Sequence, residues 1–225
     1  MFMSGLIAAI AISGLAIVFA RQKSAAPAAT PVAQQPASQP QPAPAPAPVP
    51  KPATKTYEND KYGFSVQYPE TILVTEDKSD MQLSGYVPVC DPDHAIVCFP
   101  FPKETYKNTN FEDAAFAVHV RPDLKKQSTC ETPDNGETAD GEASINGVAY
   151  KKFAFGDSAA GHHVEGENYR VFRSGSCIEL STRVATTAFE NYESGTITRL
   201  TDADRSNLQA VLDDMLKSFR FITGS

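Results

Sequence analysis

Tyr57-Glu58-Asn59-Asp60-Lys61-Tyr62-Gly63-Phe64-Ser65-Val66-Gln67-Tyr68-Pro69 is where this chain of 225 residues first becomes foldable. Phe64, Val66 and Tyr68 alternate with Ser65 and Gln67, the period-two pattern of a half-buried strand, and Pro69 stops it because proline has no N–H to give to a ladder. Downstream, strand-like runs recur at 85–89, 95–99, 116–120, 148–155, 163–173 and 177–185. Asn146-Gly147 and Ser174-Gly175 fall between neighbouring runs as two-residue hairpin signals, so most pairings are expected to be antiparallel.

Towards the end the period changes. Leu208, Val211, Leu212, Met215, Leu216 and Phe219 follow the i, i+3, i+4, i+7 spacing of one apolar helix stripe, which reads as core. Thr201 or Asp202 can cap its start, where Asp202 and Asp204 also meet the positive end of the helix dipole, and Lys217 sits near the other end. A short strand over 219–222 is expected to follow. One helix behind a run of strands makes the class α+β with an antiparallel sheet.

The opening stretch 57–69 and the closing Leu212-Asp213-Asp214-Met215-Leu216-Lys217-Ser218-Phe219-Arg220-Phe221 resemble the two ends of PsbP-like domains, which recur in bacterial membrane-anchored and lipoprotein-type proteins of unknown role. The resemblance implies helices packed in an α/β/α sandwich around the antiparallel sheet. It also implies an accessory, non-catalytic protein that docks on membrane complexes, in a family of which some members bind metal ions. This chain differs from many such domains in having no Trp after its Tyr-Pro step and in carrying four cysteines.

Before the domain, composition shifts. Residues 1–55 hold ten of the 17 prolines and only Arg21, Lys23, Lys51 and Lys55 as charges, leaving 16 basic and 27 acidic groups, net −11, for residues 56–225. An acidic domain has no basic footprint for phosphates, so no nucleic-acid partner is expected. Its 170 residues suit one core that buries about 70% of the unfolded surface. Residues 2–20 are uncharged and bounded by Arg21-Gln22-Lys23; as a helix they would run about 28 Å, close to a bilayer's ~30 Å hydrocarbon core. Residues 1–23 are therefore expected to be a single N-terminal membrane anchor, with a cleaved signal peptide ending near Val18-Phe19-Ala20 as the rival. Residues 24–55, with proline at every second position from Pro40 to Pro50, favour extended polyproline II and cannot nucleate a core; they form a disordered linker that would reach on the order of 100 Å.

Orientation pits two signals against each other. Arg21 and Lys23 follow the span, which by the positive-inside rule would hold the domain in the cytoplasm. An even set of four cysteines points the other way, to an oxidising compartment, and the expectation is a single-pass inner-membrane protein with its domain in the periplasm or extracytoplasmic space. Cys90 and Cys98 enclose a tight turn, Asp91 to Val97, and are expected to pair; Cys130 with Cys177 follows by elimination. In the chain-entropy model the two bridges would contribute roughly 2.5 and roughly 4 kcal/mol.

Candidate chemistry is sparse. His162, His163, Glu165 and Glu167 cluster, and on a strand His163, Glu165 and Glu167 share one face. Same-face positions lie almost 7 Å apart, so three ligands on one ion need a bend, for which Gly161 and Gly166 are available. Asp91, Asp93 and His94 form a second small cluster, read as turn chemistry before a calcium or other metal site. Gly156-Asp157-Ser158 lacks the strand-elbow-helix setting of a hydrolase serine. Phosphate-loop, dinucleotide and zinc-protease motifs do not occur. No catalytic residue and no cofactor are expected. The expected function is a membrane-tethered, extracytoplasmic, non-enzymatic binding or scaffold protein, accessory to an envelope process and with an envelope protein as partner. The alternative is a metal-dependent hydrolase or metal carrier using the His162 to Glu167 cluster, with His163, Glu165 and Glu167 as the metal candidates. An energy-coupling protein shares the anchor-and-tether plan but would need an ionisable residue in the span, which has only Ser4 and Ser13 as polar side chains.

Overall fold

The computed structural model describes residues 53–81 and 90–222. The anchor, all but the last three residues of the linker, and the strand expected at 85–89 lie outside the described residues. Two antiparallel sheets form. The first orders β1 (Thr54–Asn59), β2 (Phe64–Pro69) and β9 (Arg220–Phe221). Strand β1 pairs Thr54 with Pro69, so the ladder begins two residues before the expected domain start. The closing strand is only two residues long, shorter than expected.

The second sheet has six strands, in the order β3 (Ala95–Pro100), β4 (Phe111–Arg121), β8 (Ser176–Thr187), β7 (His162–Arg173), β6 (Val148–Ala159) and β5 (Glu137–Ile145). Strands β5 to β8 are a meander closed by two-residue turns. Both expected turns form, with positive φ at Asn146 and Gly147 (48° and 79°) and at Ser174 and Gly175 (52° and 78°), the mirror-image geometry that matches strand twist. Ala160-Gly161 makes a third, at 51° and 81°, which sequence did not announce because alanine is a poor left-handed residue.

Among the described residues helix is scarce: α1 (Lys78–Met81) and α2 (Gln127–Cys130) have four residues each, and only α3 (Asp202–Ser218) is long. Thr201 caps α3, its hydroxyl accepting from the Asp204 N–H, with Asp204 reaching back in a capping box. Leu208, Leu212, Met215 and Leu216 are buried as the stripe requires, and Phe219, just past the last turn, stacks on Phe64 at 5.4 Å between ring centres.

The six-stranded sheet thus has two unlike faces. One carries Phe99, Phe116, Val118, Tyr150, Tyr169 and Leu180 and shares a single core with α3 and with Phe64 and Val66 of the small sheet. The other carries Cys98, Ala117, His119, Asn168, Arg170, Cys177, Glu179 and Ser181, since directly opposed residues share a face. Cover here is largely irregular chain from Pro122 to Gly136, with α2 within it. The α/β/α expectation is met only in its α+β, antiparallel part: among the described residues the second face has no helix longer than four residues.

Candidate functional site

Strand β8 sets up the ionic face by alternation: Cys177, Glu179, Ser181, Arg183 and Ala185 point to one side of the sheet. Register brings His119 opposite Glu179 from β4, and Arg170 and Asn168 opposite Glu179 and Ser181 from β7. Such groups are tolerated in an interior only when paired. Arg170, 1% exposed, makes four hydrogen bonds through its guanidinium: Nε on Glu179 Oε2 at 2.5 Å, Nη1 on the Thr132 carbonyl at 3.1 Å, and Nη2 on Asp134 Oδ2 at 3.0 Å and Glu137 Oε1 at 2.7 Å. Arg121 adds Nη1 to Asp134 at 2.8 Å and a two-pronged grip on Asp123.

Glu179 is the hub. Burial works to raise its carboxyl, but the hydrogen bond and charge of His119 and the contact with Arg170 outweigh it and hold the group far below the usual carboxylate range. His119 Nδ1 lies 2.8 Å from Glu179 Oε1, and since the carboxylate can only accept, Nδ1 donates and Nε2 is the ring nitrogen left over. Likewise Asn168 must turn its NH2 to the Glu137 carboxylate, which leaves Oδ1 without a donor.

Those leftovers are the distinctive feature. Among the described residues four buried side-chain atoms have no hydrogen-bond partner: Asp113 Oδ2, His119 Nε2, Asn168 Oδ1 and Ser181 Oγ. All four residues belong to the ionic face, and three of them line one cavity of about 260 Å³. Buried polar groups left unmade cost about 1–3 kcal/mol each, so three of them in residues around one cavity need a physical reason. Arg183 lines the same cavity. Its guanidinium crosses Gly166 and stacks on Phe155, 4.3 Å from the ring centre. Gly166 has to be glycine, because a Cβ there would stand 1.9 Å from the Thr182 carbonyl oxygen. Arg183 donates through Nη1 to the carbonyls of Thr182 and Glu167, at 3.0 and 3.5 Å, and has no carboxylate within 4 Å among the described residues. Burial pushes it down to about 10, against the charges of Glu179, Glu137 and Asp91, so it remains a cation at neutral pH.

The sequence-derived candidates fare differently. Both disulfides close as expected, Cys90 with Cys98 (Cα atoms 6.0 Å apart) and Cys130 with Cys177 (5.6 Å), and both sit on the ionic face. His163, Glu165 and Glu167 do share a face of β7, but the other one, and each goes to its own partner. His163 Nδ1 meets Ser158 Oγ at 2.6 Å, Glu165 takes Arg205 at 3.2 Å, and Glu167 takes Lys152 at 2.7 Å. The metal reading is therefore corrected: His163 and Glu165 are neighbours but Glu167, a further step along the extended strand, goes to Lys152, and no group of three His, Cys, Asp or Glu among the described residues converges on a cation. His162 turns away to Glu112 at 2.8 Å. Asp91 caps the Asp93 N–H at 2.9 Å and holds His94 at 2.7 Å, which is turn chemistry.

Ser158, His163 and Glu165 do form a chain that sequence reading passed over, with His163 Nε2 3.6 Å from Glu165. It lacks the setting of a nucleophile. His163 and Glu165 side chains are 47% and 53% exposed, Arg205 holds the acid, and the Ser158 N–H is spent on Asp157 rather than free for an oxyanion.

Sequence reading also missed His119, Asn168, Arg170, Glu179, Ser181 and Arg183. A usable signal was present: Cys-x-Glu-x-Ser-x-Arg on β8 puts polar residues at every inward step of a strand whose other face is Ile178, Leu180 and Val184.

No family model matches the chain, and no curated protein is similar to it in sequence. Among solved structures it is similar to PsbP of the cyanobacterium Synechocystis sp. PCC 6803 (CyanoP; 12% identity, TM-score 0.41, covering 79% of this chain and 97% of that one). It is also similar to LpqN of Mycobacterium tuberculosis, described as involved in cell envelope biogenesis (9%, 0.39, 76% and 91%), and to the Ran-binding protein Mog1p of Saccharomyces cerevisiae (12%, 0.38, 76% and 97%).

Proposed function

We propose that this chain is a non-enzymatic binding protein, held to the outer side of a membrane by residues 1–23 and the 24–55 linker, whose ligand enters the cavity on the ionic face and whose envelope partner is met by the domain as a whole. The observation that carries the binding reading is one cavity lined by His119, Asn168 and Ser181, each of which keeps a buried polar atom without a hydrogen-bond partner, and by Arg183, which meets backbone carbonyls and the Phe155 ring rather than a carboxylate. Catalysis would need a nucleophile with an activating base in a shielded place, whereas here the ionisable groups of the cavity are spent on one another. The two disulfides support an oxidising address. The same address favours export over the direction suggested by Arg21 and Lys23.

Two measurements test the address together. Protease added to intact spheroplasts should release the domain from the membrane fraction, and the non-reduced protein should show zero free thiols. Full protection of the domain with four titratable thiols would place it in the cytoplasm and end the reading.

A further inference from the structure

We propose that a second cleft, at the end of the apolar face, is a site for a phosphomonoester group, its oxygens on Arg173, Lys61 and the hydroxyls of Ser174 and Ser176. It is separate from the ionic-face cavity and goes beyond the binding reading above.

Position comes first. Arg173 follows Tyr169 and Val171 on one face of β7, and its register partner Ser176 precedes Ile178 and Leu180 on β8, so Arg173 and Ser176 end the apolar face. There a cleft of about 330 Å³ opens towards the small sheet, whose β1–β2 loop brings Lys61 and Tyr62 and whose β9 brings Phe221. That space holds roughly eleven waters at ~30 Å³ each, enough for a phosphate and a small organic group. Hydrogen bonds fix the loop: Gly63 N–H to the Asn59 carbonyl at 2.8 Å, Ile222 N–H to the Gly63 carbonyl at 2.9 Å, and Tyr62 N–H to Asn59 Oδ1 at 3.1 Å. The Ser174-Gly175 turn facing it is equally tight. A site built between two fixed turns loses little ordering entropy on binding.

Charge comes second. In a domain of net −11 the lining holds two formal charges, Lys61 and Arg173, both positive. Arg121, Arg170, Arg199 and Arg205 all hold carboxylates. Among the described residues Arg173 and Lys61 have none within 4 Å; each lies over a ring, Lys61 Nζ 4.8 Å from the centre of Tyr62 and the Arg173 guanidinium 4.4 Å from that of Phe221. Stacking occupies a face of the guanidinium and leaves its N–H edge for acceptors in the plane. The acidic remainder of the domain repels anions, but salt screens that field over about 8 Å at physiological ionic strength, so the adjacent cations decide.

Valence comes third. The hydroxyls of Ser174 and Ser176 make no side-chain hydrogen bond among the described residues and are free to donate. A carboxylate brings one negative charge and two oxygens to this set. A phosphomonoester brings about −1.5 to −2 at pH 7 and three strong acceptor oxygens, which matches two cations with two hydroxyls. Tyr62, Ile178 and Ile222 complete the lining with apolar surface, which favours an ester carrying an organic group over bare phosphate.

Calorimetric titration of the full chain in uncharged detergent micelles with phenyl phosphate tests this, against inorganic phosphate, sulfate and benzoate. A second arm repeats it in micelles doped with phosphatidic acid or with phosphatidylcholine. The expected result is saturable binding of phenyl phosphate, roughly tenfold tighter than benzoate or sulfate and tighter than inorganic phosphate. Lys61 and Arg173 are exposed, so Lys61→Gln and Arg173→Gln should keep the parent's unfolding midpoint yet each weaken binding on the order of tenfold. Arg220→Gln is the control: Arg220 adjoins Phe221 but donates through Nε to Ser65 Oγ at 3.1 Å, and its loss should leave binding unchanged. Competition by phosphatidic acid and not by phosphatidylcholine would make a lipid headgroup the source of the ester; undiminished binding in both would make it a soluble one. Benzoate, sulfate or inorganic phosphate binding as tightly as phenyl phosphate would overturn the proposal. So would an Arg220→Gln loss equal to that of Arg173→Gln, unchanged binding in Lys61→Gln and Arg173→Gln, or no saturable binding of any phosphate probe. Each of these failures leaves the ionic-face reading standing, because the two cavities share no residue.

Discussion

The two faces of the six-stranded sheet solve the same problem of covering a surface by opposite means. Under α3, Phe116, Val118, Leu180 and Tyr169 meet Leu208, Leu212, Met215 and Leu216, and stabilisation follows from apolar area with no need for particular partners. Under the 122–136 chain, Glu179, Arg170, His119 and Glu137 must each find a named atom, and the Cys130–Cys177 disulfide ties the cover to β8. A greasy face tolerates exchange of one hydrocarbon for another; an ionic face tolerates only the loss of both members of a pair.

The contrast breaks hardest at the hub. Glu179→Gln keeps the shape but strands Arg170 and His119, and should cost about 3–5 kcal/mol in urea unfolding at pH 7. Because the folded-state pKa lies below the unfolded one, the stabilisation is complete above the ordinary carboxylate range and lost as pH falls through it towards the folded value; the deficit of the variant should be equal at pH 7 and pH 6 and shrink by pH 3. On the other face Leu212→Ala, which opens a cavity under a fully buried side chain, should cost about 3 kcal/mol with no dependence on pH between 7 and 4. Equal pH profiles for the two variants would erase the distinction.

Asp113 sharpens it with the reverse sign. Burial pushes its carboxyl up to about 6, against the Ala114 N–H, so folding is penalised as pH rises from about 4 and the full penalty is present above 6. Asp113→Asn, which can keep the Ala114 hydrogen bond at 2.8 Å, should stabilise by about 2 kcal/mol at pH 8 and by almost nothing at pH 4, read as unfolding midpoints. The smallest effect belongs to neither face. Ala160, held at φ 51° in the β6–β7 turn, should gain up to about 1 kcal/mol as Ala160→Asn, visible as a rise of a few degrees in Tm.

What sequence disclosed follows the same division. The apolar face was legible because Leu208 to Phe219 and Phe64 to Tyr68 repeat at the periods of helix and strand, and hydrocarbon inside is the default. Strand β5 was not: apart from Ile145, its residues are mostly exposed, so no period marks an edge strand fixed only by its neighbour. Nor was the site, since Arg170 and Glu179 have the composition of solvated strand residues and become interior only through the register of β4, β7 and β8. His163, Glu165 and Glu167 attracted notice for lying close in the chain, whereas the groups that meet in space are drawn from 91 to 183. The cysteine pairing was legible because the short Cys90 to Cys98 turn left a single choice for the others.

The strand order 3-4-8-7-6-5 sets a timetable for assembly. The meander from β5 to β8 can zip locally, each turn handing its strand to the next, but β4 is made early and its partner β8 comes last of the six. A chain delivered N-terminus first therefore holds out an unpaired, alanine- and phenylalanine-rich edge until Ser176–Thr187 arrives to close it. That waiting edge is where a holding chaperone would have most to protect, and where slowed delivery would turn folding into aggregation.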